Sequence, residues 1–127
     1  MNYIFSAIFL YFFLGFLLYI FQRRIVFNKS GHPGSPKDYN LDNTEEVYIK
    51  TEDNLKLLSW YHKGNKSLPF LVYFHGNSFH IGDRAYRIQR YIEKNWSVLL
   101  VSWRGFGGNK GNPTEKNLYK DAEAVLK

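Results

Sequence analysis

The first part of the chain is apolar without interruption. Between Tyr3 and Phe21 there is no charged residue, and only Ser6 and Gly15 depart from a run of aliphatic and aromatic side chains. As a helix this segment would be about 28 Å long, close to the roughly 30 Å of hydrocarbon in a bilayer. It also lacks the polar stripe of a helix on a soluble domain. The pattern therefore predicts a transmembrane anchor within residues 1–22.

A cleaved signal peptide is the alternative interpretation of this segment. Such a peptide carries basic residues before its apolar run and small residues at its cleavage site. Here Met1 and Asn2 precede the run, whereas Gln22, Arg23 and Arg24 follow it. The order of charges favours a retained anchor.

Positive charge is concentrated just after the predicted anchor. Arg23, Arg24, Lys29 and Lys37 all precede the first acidic residue, Asp38. Positive residues stay on the cytoplasmic side of a membrane, so we expect a single-pass protein whose C-terminal part is cytoplasmic. The absence of cysteine agrees with that location. The basic residues would also face anionic lipid headgroups, which makes membrane lipid an expected partner.

Net charge by itself does not point to nucleic acid. The chain carries a formal charge of +6, but beyond the membrane-proximal cluster both signs are mixed. A nucleic-acid-binding domain usually presents a basic stripe on one face, and the sequence shows none. We expect no nucleic-acid partner.

Beyond the anchor, the pattern predicts a basic linker and one small domain. Residues 23–44 contain too many glycines and prolines for a regular element. Residues 45–127 begin with two predicted strands, 46–51, whose side chains alternate between two faces, and 55–62, and the short polar turn between them predicts a hairpin. Asn54 lies at the turn, where a left-handed backbone is tolerated by asparagine.

The second half of the domain changes to continuous apolar runs. Residues 70–74 and 98–101 are uniformly apolar, as in parallel strands covered on both faces. Apolar residues at helical spacing follow each strand: Ile81, Ala85, Ile88 and Ile92 after the first, and Leu118, Ala122 and Val125 after the second. A glycine-rich loop spans 105–111, and the last helix is predicted to start near Thr114. The order strand, helix, strand, loop, helix predicts an α/β domain with a parallel sheet.

Ligands of such sheets bind outside the C-terminal ends of the strands, where two loops are expected here, residues 75–80 and 104–111. Around these loops the chain resembles the opening of an α/β-hydrolase. It is most similar to the membrane-anchored branch named for a yeast bud-emergence suppressor, which is related to prolyl-oligopeptidase-like serine hydrolases. The similarity is carried, in this order, by Tyr73-Phe74-His75-Gly76-Asn77, Leu99-Leu100-Val101-Ser102-Trp103-Arg104-Gly105-Phe106-Gly107, Gly111-Asn112-Pro113-Thr114-Glu115 and Leu118-Tyr119-Lys120-Asp121-Ala122.

The resemblance implies acyl transfer by a serine, a histidine and an acid, with backbone N–H groups holding the oxyanion. It makes Asn77 the first oxyanion donor, with Gly76 allowing close approach and His75 bracing the loop. It makes Arg104, Gly105 and Gly107 a second loop of the site. From the residues alone, Arg104 is expected to bond loop carbonyls rather than substrate. Asp121 and Glu123 are expected on a solvated helix face.

The nucleophile elbow of this family, Gly-x-Ser-x-Gly, does not occur in the chain. The nearest string, from Gly76 to His80, centres on Ser78, but it ends in a bulky histidine where the elbow needs a small residue. The family places the elbow after Lys127, followed by the acid and the histidine. Smaller departures from the family pattern are Ser102, Trp103, Asn109 and the string His80-Ile81-Gly82-Asp83, which suggest a divergent copy.

We therefore expect the N-terminal fragment of a membrane-anchored serine hydrolase, inactive alone, that a C-terminal hydrolase segment would complement. A fragment of a longer enzyme, a split or decayed gene product, and a non-catalytic membrane-tethered interaction module remain open. No cofactor is expected. His62, His75 and His80 lack the carboxylate or cysteine that would complete a metal site.

Overall fold

The computed structural model describes residues 2–127. Three α-helices and six strands occur in that range, together with two 3₁₀-helices, Pro36–Tyr39 and Ile81–Arg84. The helices are α1 Asn2–Val26, α2 Ala85–Ile92 and α3 Glu115–Leu126. The strands are β1 Asn28–Lys29, β2 Thr44–Lys50, β3 Lys56–His62, β4 Phe70–Phe74, β5 Ser78–Phe79 and β6 Ser97–Val101.

Helix α1 is 25 residues long and is apolar enough along its length to cross a membrane. Its most apolar stretch has no residue buried against the rest of the protein. The helix continues past the predicted end at Phe21 through Arg23 and Arg24, because arginine is a good helix former. The Phe27 N–H donates to the Arg23 carbonyl at 2.9 Å and closes the last turn.

Four strands form the main sheet in the order β2-β3-β6-β4. The β2–β3 and β3–β6 pairs are antiparallel, whereas β6 and β4 are parallel. This arrangement confirms the α/β class, the hairpin and the two parallel strands. Asn54 has a φ of 61° at the hairpin turn, as its position predicted. Since β4 and β6 run in the same direction, the loops that follow them leave the same end of the sheet.

One face of the sheet carries the hydrophobic core. Trp60 and Leu100 of the sheet are fully buried against Ile81 and Ile88, the stripe predicted for the helix after β4. That helix is divided, because its first turn is the 3₁₀-helix Ile81–Arg84 and α2 runs from Ala85 to Ile92. The predicted apolar spacing is confirmed even though the helix is divided.

The segment 23–44, expected to be a linker, packs against the domain. Leu41 is 2% exposed and belongs to the core. The Tyr39 hydroxyl donates to the Pro33 carbonyl at 2.8 Å. Strand β1 pairs in parallel with β5. Glycine and proline prevent long regular elements here, but the apolar side chains between them still find partners in the core.

Candidate functional site

His75 joins the two loops that follow β4 and β6. Its side chain is 4% exposed, and its Nε2 accepts the Trp103 N–H at 3.2 Å. In return, the Trp103 indole Nε1–H donates to the His75 carbonyl at 2.8 Å. The imidazole also meets the ring of Phe106 edge-on, with centroids 5.1 Å apart. The C-terminal ends of the two parallel strands are therefore linked through one histidine.

His75 is neutral in the folded protein. Burial lowers its pKa to about 4, well below its ordinary value. Because Nε2 accepts a backbone N–H, the neutral ring carries its proton on Nδ1. A histidine whose Nε2 accepts a backbone N–H is not available to take a proton from a serine. His75 is thus a structural member of the loop.

Asn77 is held by the end of α1, a contact that the sequence did not predict. Its side-chain amide donates to the Val26 carbonyl at 2.8 Å, and its own carbonyl accepts the Asn28 N–H at 3.1 Å. The Asn77 N–H has no partner in the loops, turns and side chains of the described residues. Before it, Gly76 lies in open space, since a Cβ there would meet no atom within 4 Å.

Ser78 lies in β5, opposite Asn28 of β1. Its hydroxyl approaches Asn77 Oδ1 at 3.5 Å rather than a histidine nitrogen. The imidazole Nδ1 of His80 lies 3.0 Å from an Asp83 carboxylate oxygen. The string from Gly76 to His80 therefore forms a short strand and a 3₁₀ start, and not the sharp turn that exposes a nucleophile.

Arg104 bonds carboxylates, and the expectation that it bonds loop carbonyls is wrong. Its side chain is 2% exposed, and its Nε and a terminal nitrogen donate to Asp121 Oδ1 at 2.8 and 2.6 Å. Another terminal nitrogen donates to Asp53 at 2.7 Å. Burial alone lowers the pKa of Arg104, but the hydrogen bonds that its guanidinium donates to Asp121 and Asp53 outweigh burial and raise the pKa.

The prediction that Asp121 lies on a solvated face is also wrong. Asp121 is 0% exposed, and its second carboxylate oxygen accepts the Arg104 N–H at 3.0 Å. Glu123, two residues further along α3, is exposed as expected. The Asp121 carboxylate therefore anchors α3 to the start of the glycine-rich loop.

Two glycines of that loop have a left-handed backbone. Gly105 has a φ of 78° and Gly107 a φ of 57°. A Cβ on Gly105 would lie 2.8 Å from Pro113 and 2.9 Å from the Gly111 carbonyl, so a side chain does not fit there. These glycines set the backbone path of the loop. The loop lies next to His75, since Trp103 and Phe106 both contact that histidine.

Three of the departures from the family pattern, at Ser102, Trp103 and Asn109, have structural partners. Asn109 accepts the Leu58 N–H at 2.9 Å and donates to the Ser102 carbonyl at 2.9 Å, which ties the loop to β3. Trp103 stacks on Phe74 with ring centroids 4.6 Å apart. Ser102 is fully buried and donates to the Phe106 carbonyl at 3.3 Å. Each substitution therefore takes part in loop packing.

No family model matches the chain. The protein Bem46 of Schizosaccharomyces pombe is 33% identical over 89% of this chain and 40% of its own length. The α/β-hydrolase domain-containing protein WAV2 of Arabidopsis thaliana is 29% identical over 87% of this chain and 38% of its own length. An uncharacterized membrane protein of Saccharomyces cerevisiae, YNL320W, is 29% identical over 86% and 40%. The chain spans about 40% of the length of the curated relatives it matches.

Solved structures share its architecture. An α/β-hydrolase from Vibrio vulnificus superposes with a TM-score of 0.56 at 28% identity, over 68% of this chain and 30% of that one. An esterase from Pyrococcus furiosus gives a TM-score of 0.59 at 24% identity, over 78% and 40%, which shows the fold. The chain is therefore a relative of the Bem46 and WAV2 α/β-hydrolase proteins, with an apolar N-terminal helix followed by part of the α/β-hydrolase sheet.

Proposed function

We propose that this chain forms the membrane-anchored, oxyanion-loop part of a serine hydrolase of the esterase or peptidase type. The observation that carries the proposal is the Asn77 N–H. The side chain and the carbonyl of Asn77 are bonded to the end of α1, and its N–H is left without a protein partner among the described residues. Gly76 leaves the space before it open.

An unpartnered N–H on a residue that other hydrogen bonds hold in place is what acyl transfer requires of an oxyanion donor. Negative charge develops on the substrate oxygen near the transition state, and a donor that is already in position needs no reorganisation. His75 supports this loop from behind through its two bonds with Trp103. The relation to α/β-hydrolases agrees with this role, since their first donor comes from the loop after the corresponding strand.

We further propose that the chain has no hydrolase activity alone and that a further segment supplies the nucleophile, the acid and the base. No Gly-x-Ser-x-Gly string occurs in the 127 residues. Within the described sheet β4 has one neighbour, β6, so its other edge is open to a strand of that segment. The curated relatives are more than twice as long as this chain.

The first test is labelling of the purified chain with a fluorophosphonate, which reacts with activated serines. We expect no labelling above background. Ser78→Ala is the control variant, and labelling that disappears in it would contradict the proposal by identifying Ser78 as a nucleophile.

The second test is co-expression with the part of Bem46 that the match leaves uncovered. We expect fluorophosphonate labelling of that part only when the chain is present. Asn77→Pro removes the N–H donor and should slow labelling roughly 100-fold or more. Asn77→Ala keeps the N–H and the bond from the Asn28 N–H but loses the side-chain bond to Val26, so its labelling should be slowed much less than that of Asn77→Pro. Equal rates in the two variants would contradict the oxyanion role, and labelling that never depends on the chain would favour an interaction module.

We also propose that α1 crosses the membrane with Lys127 in the cytosol. The charge asymmetry around α1 supports this orientation, because Arg23 and Arg24 follow the apolar run. A reporter that is active only outside the cytosol, fused after Lys127, should give no signal. A strong signal would show that Lys127 lies outside the cytosol and would contradict the proposed orientation.

A further inference from the structure

An open cleft of about 670 Å³ lies where α1 meets the domain. Its walls come from the last turns of α1, from β1 and from Asn112 and Pro113, which directly follow the glycine-rich loop. The lining includes Ile20, Phe21, Arg23, Arg24 and Lys29. Neither the oxyanion-loop residues nor any residue of β4 or β6 belongs to this lining.

The cleft carries concentrated positive charge. Arg23, Arg24 and Lys29 line it, and its lining contains no acidic residue. Among residues 2–127 none of these three cations forms a salt bridge, in contrast to the buried Arg104. Lys29 is directed to the glycine-rich loop, because its Nζ lies 3.3 Å from the Cβ position of Gly105. Three unpaired cations facing one cleft favour an anionic ligand.

The position of the cleft along α1 points to the source of that ligand. About 20 helical residues span the hydrocarbon of a bilayer, so a span that begins near Tyr3 ends near Gln22. Arg23 and Arg24 then lie at the depth of the lipid headgroups. The neighbouring side chains of Ile20 and Phe21 are about half exposed and face the end of the hydrocarbon.

We infer that this cleft binds the phosphate headgroup of an anionic phospholipid. Arg23, Arg24 and Lys29 contact the phosphate and the headgroup, while the acyl chains lie along Ile20 and Phe21. The arginines suit this role since a guanidinium donates two parallel hydrogen bonds to phosphate oxygens. A soluble phosphate compound shares the same chemistry, but it would make no use of the apolar rim. The inference requires α1 to cross the membrane and is independent of the proposed hydrolase role.

The test uses the full chain in detergent micelles, titrated with phosphatidylglycerol or phosphatidylcholine and followed by native mass spectrometry. We compare the parent with a triple variant, Arg23→Gln, Arg24→Gln and Lys29→Gln. A control triple variant, Lys63→Gln, Lys66→Gln and Lys94→Gln, removes the same charge from exposed positions at the opposite end of the sheet. Inorganic phosphate and glycerol phosphate are added as soluble competitors.

We expect the parent to bind phosphatidylglycerol at least tenfold more tightly than phosphatidylcholine. The cleft variant should lose roughly tenfold or more of that affinity, because each cation near a headgroup contributes measurably to binding. The control variant should stay within about twofold of the parent. Equal losses in both variants would overturn the inference and leave only general charge attraction. Displacement of the lipid by millimolar soluble phosphate would contradict a phospholipid as the ligand and indicate a soluble phosphate compound.

Discussion

The ion pair between Arg104 and Asp121 gives the sharpest prediction about stability. Asp121→Asn keeps the shape of the side chain but removes the charge that faces a guanidinium with 2% exposure. Breaking a buried ion pair by removing one partner costs about 3–5 kcal/mol. An asparagine can still accept one of the hydrogen bonds, and Asp53 remains beside the guanidinium, so we expect a loss near the lower end, about 3 kcal/mol.

The measurement is urea unfolding of the full chain in detergent micelles, followed by tryptophan fluorescence. Trp103 immediately precedes Arg104 and reports on this loop. With a urea dependence of about 1–3 kcal/mol per molar, a loss of about 3 kcal/mol lowers the midpoint by about 1–3 M. Glu123→Gln is the matched control, because it removes the same charge from an exposed position two residues along α3. Its effect should be within about 0.5 kcal/mol.

A double variant separates the charge from the packing. Arg104→Met with Asp121→Leu replaces the pair by apolar side chains and leaves no unpaired buried charge. The Arg104 N–H loses its acceptor in this double variant, but no buried guanidinium is left. We expect it to be more stable than Asp121→Asn, which keeps a buried guanidinium with only Asp53 beside it. If Asp121→Asn and Glu123→Gln shift the midpoint equally, the argument that this buried pair anchors α3 is refuted.

Two further predictions concern pH and self-association. Because burial lowers the pKa of His75 to about 4, the unfolded chain takes up a proton first as the pH falls. The free energy of unfolding should therefore decrease below about pH 6.5, by about 2 kcal/mol at pH 5. His75→Gln should make this dependence on pH less steep. An equally steep dependence in the variant would contradict the lowered pKa of His75. The open edge of β4 has no charge to prevent pairing, so the chain should self-associate in micelles at rising concentration. Phe70→Lys should raise the monomer fraction measured by sizing more than Tyr48→Lys, which alters a similarly exposed aromatic on β2 at the other edge; equal effects would exclude β4 as the contact.

The sequence alone determined the longer elements of this protein and their class. The apolar run in α1, the alternation in β2 and the uniform apolar strands β4 and β6 each follow from the local sequence pattern. Their order predicted a parallel β4–β6 pair after an antiparallel hairpin, and the sheet confirms it. The local pattern is sufficient here because burial of one face or of both faces of a helix or strand determines which nearby positions in the sequence are apolar.

The tertiary structure decided which distant groups meet. Asp121 lies three residues after Leu118 and four before Val125, so helical spacing places it on the apolar stripe of α3, but only the loop after β6 shows its partner by bringing Arg104, 17 residues earlier, against it. Asn77 is bonded to Val26, 51 residues away, because β1 returns from α1 to pair with β5. Glycine and proline in 23–44 predicted an irregular backbone. The structure shows in addition that Leu41 of this segment is buried in the core. Such contacts depend on how the elements are arranged in space. The residues next to a polar side chain in the sequence do not show which distant charged residue will pair with it.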